Sequence, residues 1–96
     1  MKPFSLFLKN YKHTHKCSYC GEDADCCLEF HHINPKEKLF SLRSINESKY
    51  SKQQLINEIN GCCLLCGNCH KKLHNGLLKV DYKWLLEHKI HIKDYE

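Results

Sequence analysis

Long apolar runs are missing from this sequence, and their absence removes several classes of protein at once. No stretch approaches the roughly 18 apolar residues that a transmembrane helix needs. The opening MKPFSLFLKNYK is interrupted by Ser5, and its apolar character ends at Leu8. It therefore lacks the apolar segment of about seven to fifteen residues and the small-residue cleavage site of a secretory signal. Acidic residues are absent from positions 1–16, which hold Lys2, Lys9, Lys12 and Lys16. Internal repeats and low-complexity segments are absent too. Ninety-six residues leave room for one domain with a small core and exclude a multidomain enzyme with a large interior.

A core that small needs reinforcement, and eight cysteines are the obvious source. With no secretory signal the chain reads as cytoplasmic, where thiols stay reduced. Paired cysteines there read as metal ligands before they read as disulfides. Fifteen Lys+Arg against eleven Asp+Glu leave a net charge of +4, a modest excess that by itself points only to weak affinity for polyanions. Its distribution is more informative. Residues 1–16 interleave their lysines with Tyr11, His13 and His15, which reads either as a flexible basic arm laid along phosphates through Lys12 and Lys16 or as a solvated terminus.

The remaining chain divides by composition. Cys17-Ser18-Tyr19-Cys20-Gly21 is a tight turn between two thiols, followed by an acidic loop over 22–26. Cys27 to Ile33 (CLEFHHI) predicts a strand stopped by Asn34-Pro35, because proline cannot donate to a ladder. Ser51 is placed to cap a short amphipathic helix with apolar positions 55, 56 and 59, ending at Asn60-Gly61. Cys62-Cys63-Leu64-Leu65 is long enough for one buried strand and runs into a helix from Cys66 to His74, stopped by Asn75-Gly76. Residues 77–96 predict a closing helix, with Asp81 as its cap, packed on the same domain. The fold class is small α+β.

Two constellations carry chemistry. Cys17-x-x-Cys20 and Cys66-x-x-Cys69 are thiolate pairs of matching spacing, and a two-residue gap lets both sulfurs of a pair reach one tetrahedral ion. Four soft thiolates with no open position favour structural zinc; the bland alternative is unligated buried thiols. Cys26, Cys27, Cys62 and Cys63 read as small apolar strand residues, or as a second zinc site that adjacent strand positions disfavour. Separately, His31 and His32 end the first strand, while His70 and His74 stand four apart on one face of the final helix. A zinc joining the Cys17 turn to the start of that helix would bring the strand's histidines beside it. Neighbouring side chains on a regular strand diverge, so both His31 and His32 share a site only if the strand twists or bends near Asn34-Pro35.

Together LEFHHINPKEK, CCLLCGNCHKKLH and the upstream Cys-x-x-Cys resemble the HNH endonucleases of the ββα-metal (His-Me finger) superfamily, in the bacterial and phage group with a four-cysteine zinc site. The resemblance covers about residues 17–76 and implies a treble-clef-like ββα-metal finger with an inserted short helix and a C-terminal helix. It implies His32 as general base, His31, His70 and His74 as ligands of one catalytic divalent ion, and Asn60 as the middle asparagine that braces the loop carrying the base. Asn60 stands one residue further from Cys66 than in the commonest spelling of the family motif.

The activity implied is hydrolysis of DNA phosphodiester bonds, with the ion as Lewis acid and His32, whose ordinary pKa is near 6.5, as base. Lys71, Lys72 and Arg43 are candidates to hold flanking phosphates. Mg²⁺, Mn²⁺, Ni²⁺ and Zn²⁺ all remain candidate catalytic ions. A competing reading is a zinc-finger module that grips nucleic acid without cutting it. A third is a nuclease held in check by an inhibitor protein; a homodimer would be required to cut both strands at once.

Overall fold

The pair of strands at the centre follows from two different sequence patterns. Strand β1, Leu28–His32, buries only Leu28 and His31 and leaves Glu29, Phe30 and His32 half-buried, whereas β2, Cys62–Cys66, is buried at every position. This is why CCLLC reads as a continuous apolar run: it is covered on both faces. The strands pair antiparallel from Leu28 opposite Cys66 to His32 opposite Cys62, with no interruption of register. The structure, a computed structural model, describes residues 3–42 and 47–95. Among these it contains a two-stranded sheet and four α-helices, a small α+β architecture.

Helix α1 spans Phe4–Thr14, replacing the flexible arm expected of this segment. Phe4, Phe7, Leu8 and Tyr11 recur at helical spacing, and Phe4 and Leu8 are buried. The Phe4 ring meets that of Tyr95 edge-on at 5.2 Å. Helix α2, Lys52–Asn60, begins at Ser51 with a reciprocal capping box: Ser51 Oγ accepts from the Gln54 N–H, and Gln54 Oε1 accepts from the Ser51 N–H. It ends at Gly61 as the sequence predicts. Helix α3, Gly67–His74, starts as β2 ends, and Gly76, at φ +70, follows its last turn in a conformation that suits glycine.

The C-terminal segment departs from expectation. Only Tyr82–Glu87 is helical (α4), capped by Asp81, whose carboxylate accepts from the Trp84 N–H at 2.8 Å. Residues 89–95 run non-helical, with Ile90 and Ile92 alternating against His91 and Lys93, a period of two that opposes helix. The Ile90 N–H donates to Cys62 O at 2.9 Å, which ties this segment to β2.

Two apolar clusters fill the interior. One gathers Leu28, Leu65, Leu78 and Leu85 with Cys17, Cys66 and Cys69; the other gathers Phe4, Leu8, Leu55, Ile59, Ile90 and Tyr95. Cys62 and Cys63 are fully buried, as expected of strand residues, and burial pushes the Cys63 thiol up to about 12. Cys26 and Cys27 are instead exposed on a 3₁₀ turn, Asp25–Cys27, just before β1. No helix among the described residues is long and apolar enough to cross a membrane.

Candidate metal centres

The first centre is built where the Cys17 turn meets the β2–α3 junction. Gly21, at φ +82, lets its N–H fold back onto Cys17 O at 3.1 Å, which brings the two thiols of the turn together. The Ser18 N–H donates to Leu64 O at 2.9 Å and pins this turn to β2. Across from it, Cys66 Sγ caps α3 by accepting from the Cys69 N–H at 3.4 Å, fixing the second pair.

The sulfurs of Cys17, Cys20, Cys66 and Cys69 all lie within 4.8 Å of one another. Tetrahedral zinc with Zn–S near 2.3 Å requires sulfurs about 3.8 Å apart; Cys20 and Cys66 are 3.5 Å apart. Burial raises the Cys17 thiol, yet backbone hydrogen bonds at Cys20, Cys66 and Tyr19 outweigh it and bring Cys17 down to about 7. Cys69 is driven the other way by burial and by its sulfur neighbours. Four crowded thiols cannot all ionise alone. A soft dication relieves that conflict, so the donor set fits a structural metal ion.

The second centre lies between β1 and α3. His31, buried on β1, and His70 and His74, one turn apart on α3, bring one ring nitrogen each to within 4.8 Å of the others. Their ring centroids are 4.7 to 5.4 Å apart. Burial, followed by repulsion from His70, His74 and His32, lowers His31 to about 4. It is therefore neutral at pH 7, the form in which imidazole binds metal. Glu29 precedes His31 by two residues and shares its face of β1. Its Oε1 stands 2.7 Å from His70 Nδ1, which leaves Nε2 as that ring's available donor. Three imidazoles with a carboxylate behind one of them fit a divalent ion with open positions.

His32 does not join this cluster. The ladder is regular through His32, so the bend that would have aimed both histidines into one site is absent, and His32 faces away from His31. Its Nε2 lies 3.0 Å from Oε2 of Glu58, a carboxylate buried on α2. The backbone N–H groups of Leu39 and Phe40 donate to the same Glu58 oxygen at 3.0 and 3.3 Å. Even so, His32 and His70 both line one cleft of about 860 Å³, together with Phe30, Lys9, Lys12 and Lys38.

Asn60 is elsewhere. Its side chain donates to Ile92 O at 3.0 Å and accepts from the Ile92 N–H at 2.9 Å, clamping the C-terminal segment. The loop after β1 is braced by Glu58. Among the expected phosphate contacts, Lys12 enters the cleft with its ammonium 5.3 Å from the Phe30 ring centroid. Lys16 lines a different concavity with Tyr11 and His88. Lys71 and Lys72 are exposed on α3 and are not among the residues lining the cleft. Arg43 lies outside the described residues.

Four residues of the site escaped the sequence reading: Glu29, Glu58, Lys9 and Lys38. The two acids left a signal, since Glu29 interrupts an apolar strand and Glu58 falls among Leu55, Ile56 and Ile59 on the buried side of α2. No family model, no curated protein and no solved structure matches the chain.

Proposed function

We propose that this chain is a metal-dependent endonuclease of the HNH type, hydrolysing DNA phosphodiester bonds with a ββα-metal finger formed by β1, β2 and α3. One observation carries the reading: three imidazoles from two distant stretches converge at one point, and the next residue along β1, His32, shares a cleft with one of them. Zinc at the four cysteines would act as a staple, joining the Cys17 turn to α3 and so setting the distance between β1 and the helix that carries His70 and His74.

Each residue then has a task. His31, His70 and His74 would hold a divalent ion, which when bound would supply Lewis-acid stabilisation of charge on the scissile phosphate and the leaving oxygen. Glu29 orients His70 for that ion. His32 takes the proton from the attacking water as general base. Lys9, Lys12 and Lys38 on the walls of the cleft hold flanking phosphates, contacts that position the strand without reading its bases.

Supercoiled plasmid incubated with the zinc-loaded chain and Mg²⁺, Mn²⁺ or Ni²⁺ tests this. Nicked or linear product is expected, lost in His32→Ala and His70→Ala while the structural zinc is retained. Retarded but uncut plasmid under every ion would instead identify a binding module, and a His32→Ala protein cutting at the wild-type rate would remove the base assignment.

A further inference from the structure

We infer that Glu58 is the positioning residue for His32: it holds the imidazole with its proton on Nε2, so that Nδ1 is the atom that accepts the proton from water. The inference deepens the nuclease reading and rests on it. Glu58 is an unusual residue to find on the buried stripe of α2, at 7% exposure among Leu55, Ile56 and Ile59. A carboxylate in that position costs free energy unless donors meet it. Three do, and all three converge on Oε2: the His32 ring and the backbone N–H groups of Leu39 and Phe40.

The backbone donors have no tautomeric choice, so this oxygen is an acceptor. Oε2 already accepts from two backbone N–H groups, and the proton of the third contact is assigned to the ring nitrogen, His32 Nε2. The hydrogen bond made by one imidazole nitrogen determines what the other can do. His32 borders both the small hollow of about 360 Å³ that contains Glu58 and the main cleft that contains His70. One edge of the ring is thus committed to Glu58, and the opposite edge, with Nδ1, is left for the cleft. Glu58 also ties Leu39 and Phe40 to α2, bracing the loop that leaves the strand carrying the base. Asn60, spent on Ile92, does not.

The test uses the zinc-loaded full chain. In ¹H–¹⁵N spectra at neutral to mildly alkaline pH, wild-type His32 should carry its proton on Nε2, in a resonance protected from solvent exchange. Glu58→Gln keeps the size and an acceptor for the loop N–H groups but removes the charge. It should weaken that protection and lower kcat at least about tenfold with KM nearly unchanged, and Glu58→Asp should recover part of the loss. A wild-type ring protonated on Nδ1 overturns the inference even if no Glu58 variant folds, as does a folded Glu58→Gln protein with wild-type kcat. Wild-type protein that cleaves nothing while His32 keeps its proton on Nε2 would defeat the nuclease reading and leave the orientation by Glu58 standing, so the two failures are distinguishable.

Discussion

Replacing Cys66 with serine isolates the contribution of the sulfur-bound ion, because the other roles of this side chain survive the change. Cys66 is the N-cap of α3, its sulfur accepting from the Cys69 N–H. Serine is a stronger cap than cysteine, so α3 should not fray for want of one. What disappears is one ligand of four. Structural zinc in small domains contributes about 10–16 kcal/mol of apparent binding free energy. A chain of this length is expected to have a net stability of only about 5–14 kcal/mol. Losing the ion therefore removes an amount comparable to the whole stability, and the three other ligands, Cys17, Cys20 and Cys69, cannot replace it with a hydroxyl beside them. Cys66→Ser should purify with less than one tightly held zinc and show no cooperative thermal transition by circular dichroism. Cys63→Ser is the control: Cys63 is fully buried, three residues before Cys66, but is not a ligand. It should lose about 1–3 kcal/mol from burying a hydroxyl and keep its zinc. A Cys66→Ser protein that melts cooperatively with no bound metal would refute the staple.

Three further outcomes are expected. Glu29→Gln weakens the orientation of His70, so Mn²⁺ affinity of the zinc-loaded chain should fall about 10- to 100-fold in calorimetry; an unchanged Kd would show that Glu29 does not support the ligand. Phe4→Ala should cost about 3–5 kcal/mol in urea unfolding, because Phe4 is 1% exposed and packs on Tyr95; a loss below about 0.5 kcal/mol would mean that α1 is not part of the core. His31, lowered to about 4, binds fewer protons folded than unfolded between pH 4 and its ordinary value near 6.5. Stability is thus lost as pH falls through that window. Carrying one equivalent of zinc, the wild type should lose about 2 kcal/mol more than His31→Gln between pH 7.5 and 5, and equal losses in the two proteins would contradict the shift.

Much of both centres could be read from short-range pattern. The two-residue gaps of the cysteine pairs and the four-residue spacing of His70 and His74 are properties of a turn and of a helix, independent of what lies across the molecule. The Ser51 cap and the stop at Gly61 are equally local. Sequence also suffices for the continuous burial of CCLLC and for Asp81 as the cap of α4.

Tertiary structure alone decided which faces and partners those elements take. His31 and His32 are adjacent in sequence, and only the register of β1 against β2 sends one to α3 and the other to α2. Asn60 and Glu58 are neighbours on one helix, and which of them meets His32 depends on the rotation of α2 over the sheet. The basic N-terminal segment becomes a helix because Tyr95, at the far end of the chain, offers Phe4 a surface to bury against. A spacing rule describes one element at a time, whereas faces, registers and buried carboxylates are settled by packing, where burial of apolar area and satisfaction of polar atoms must succeed together.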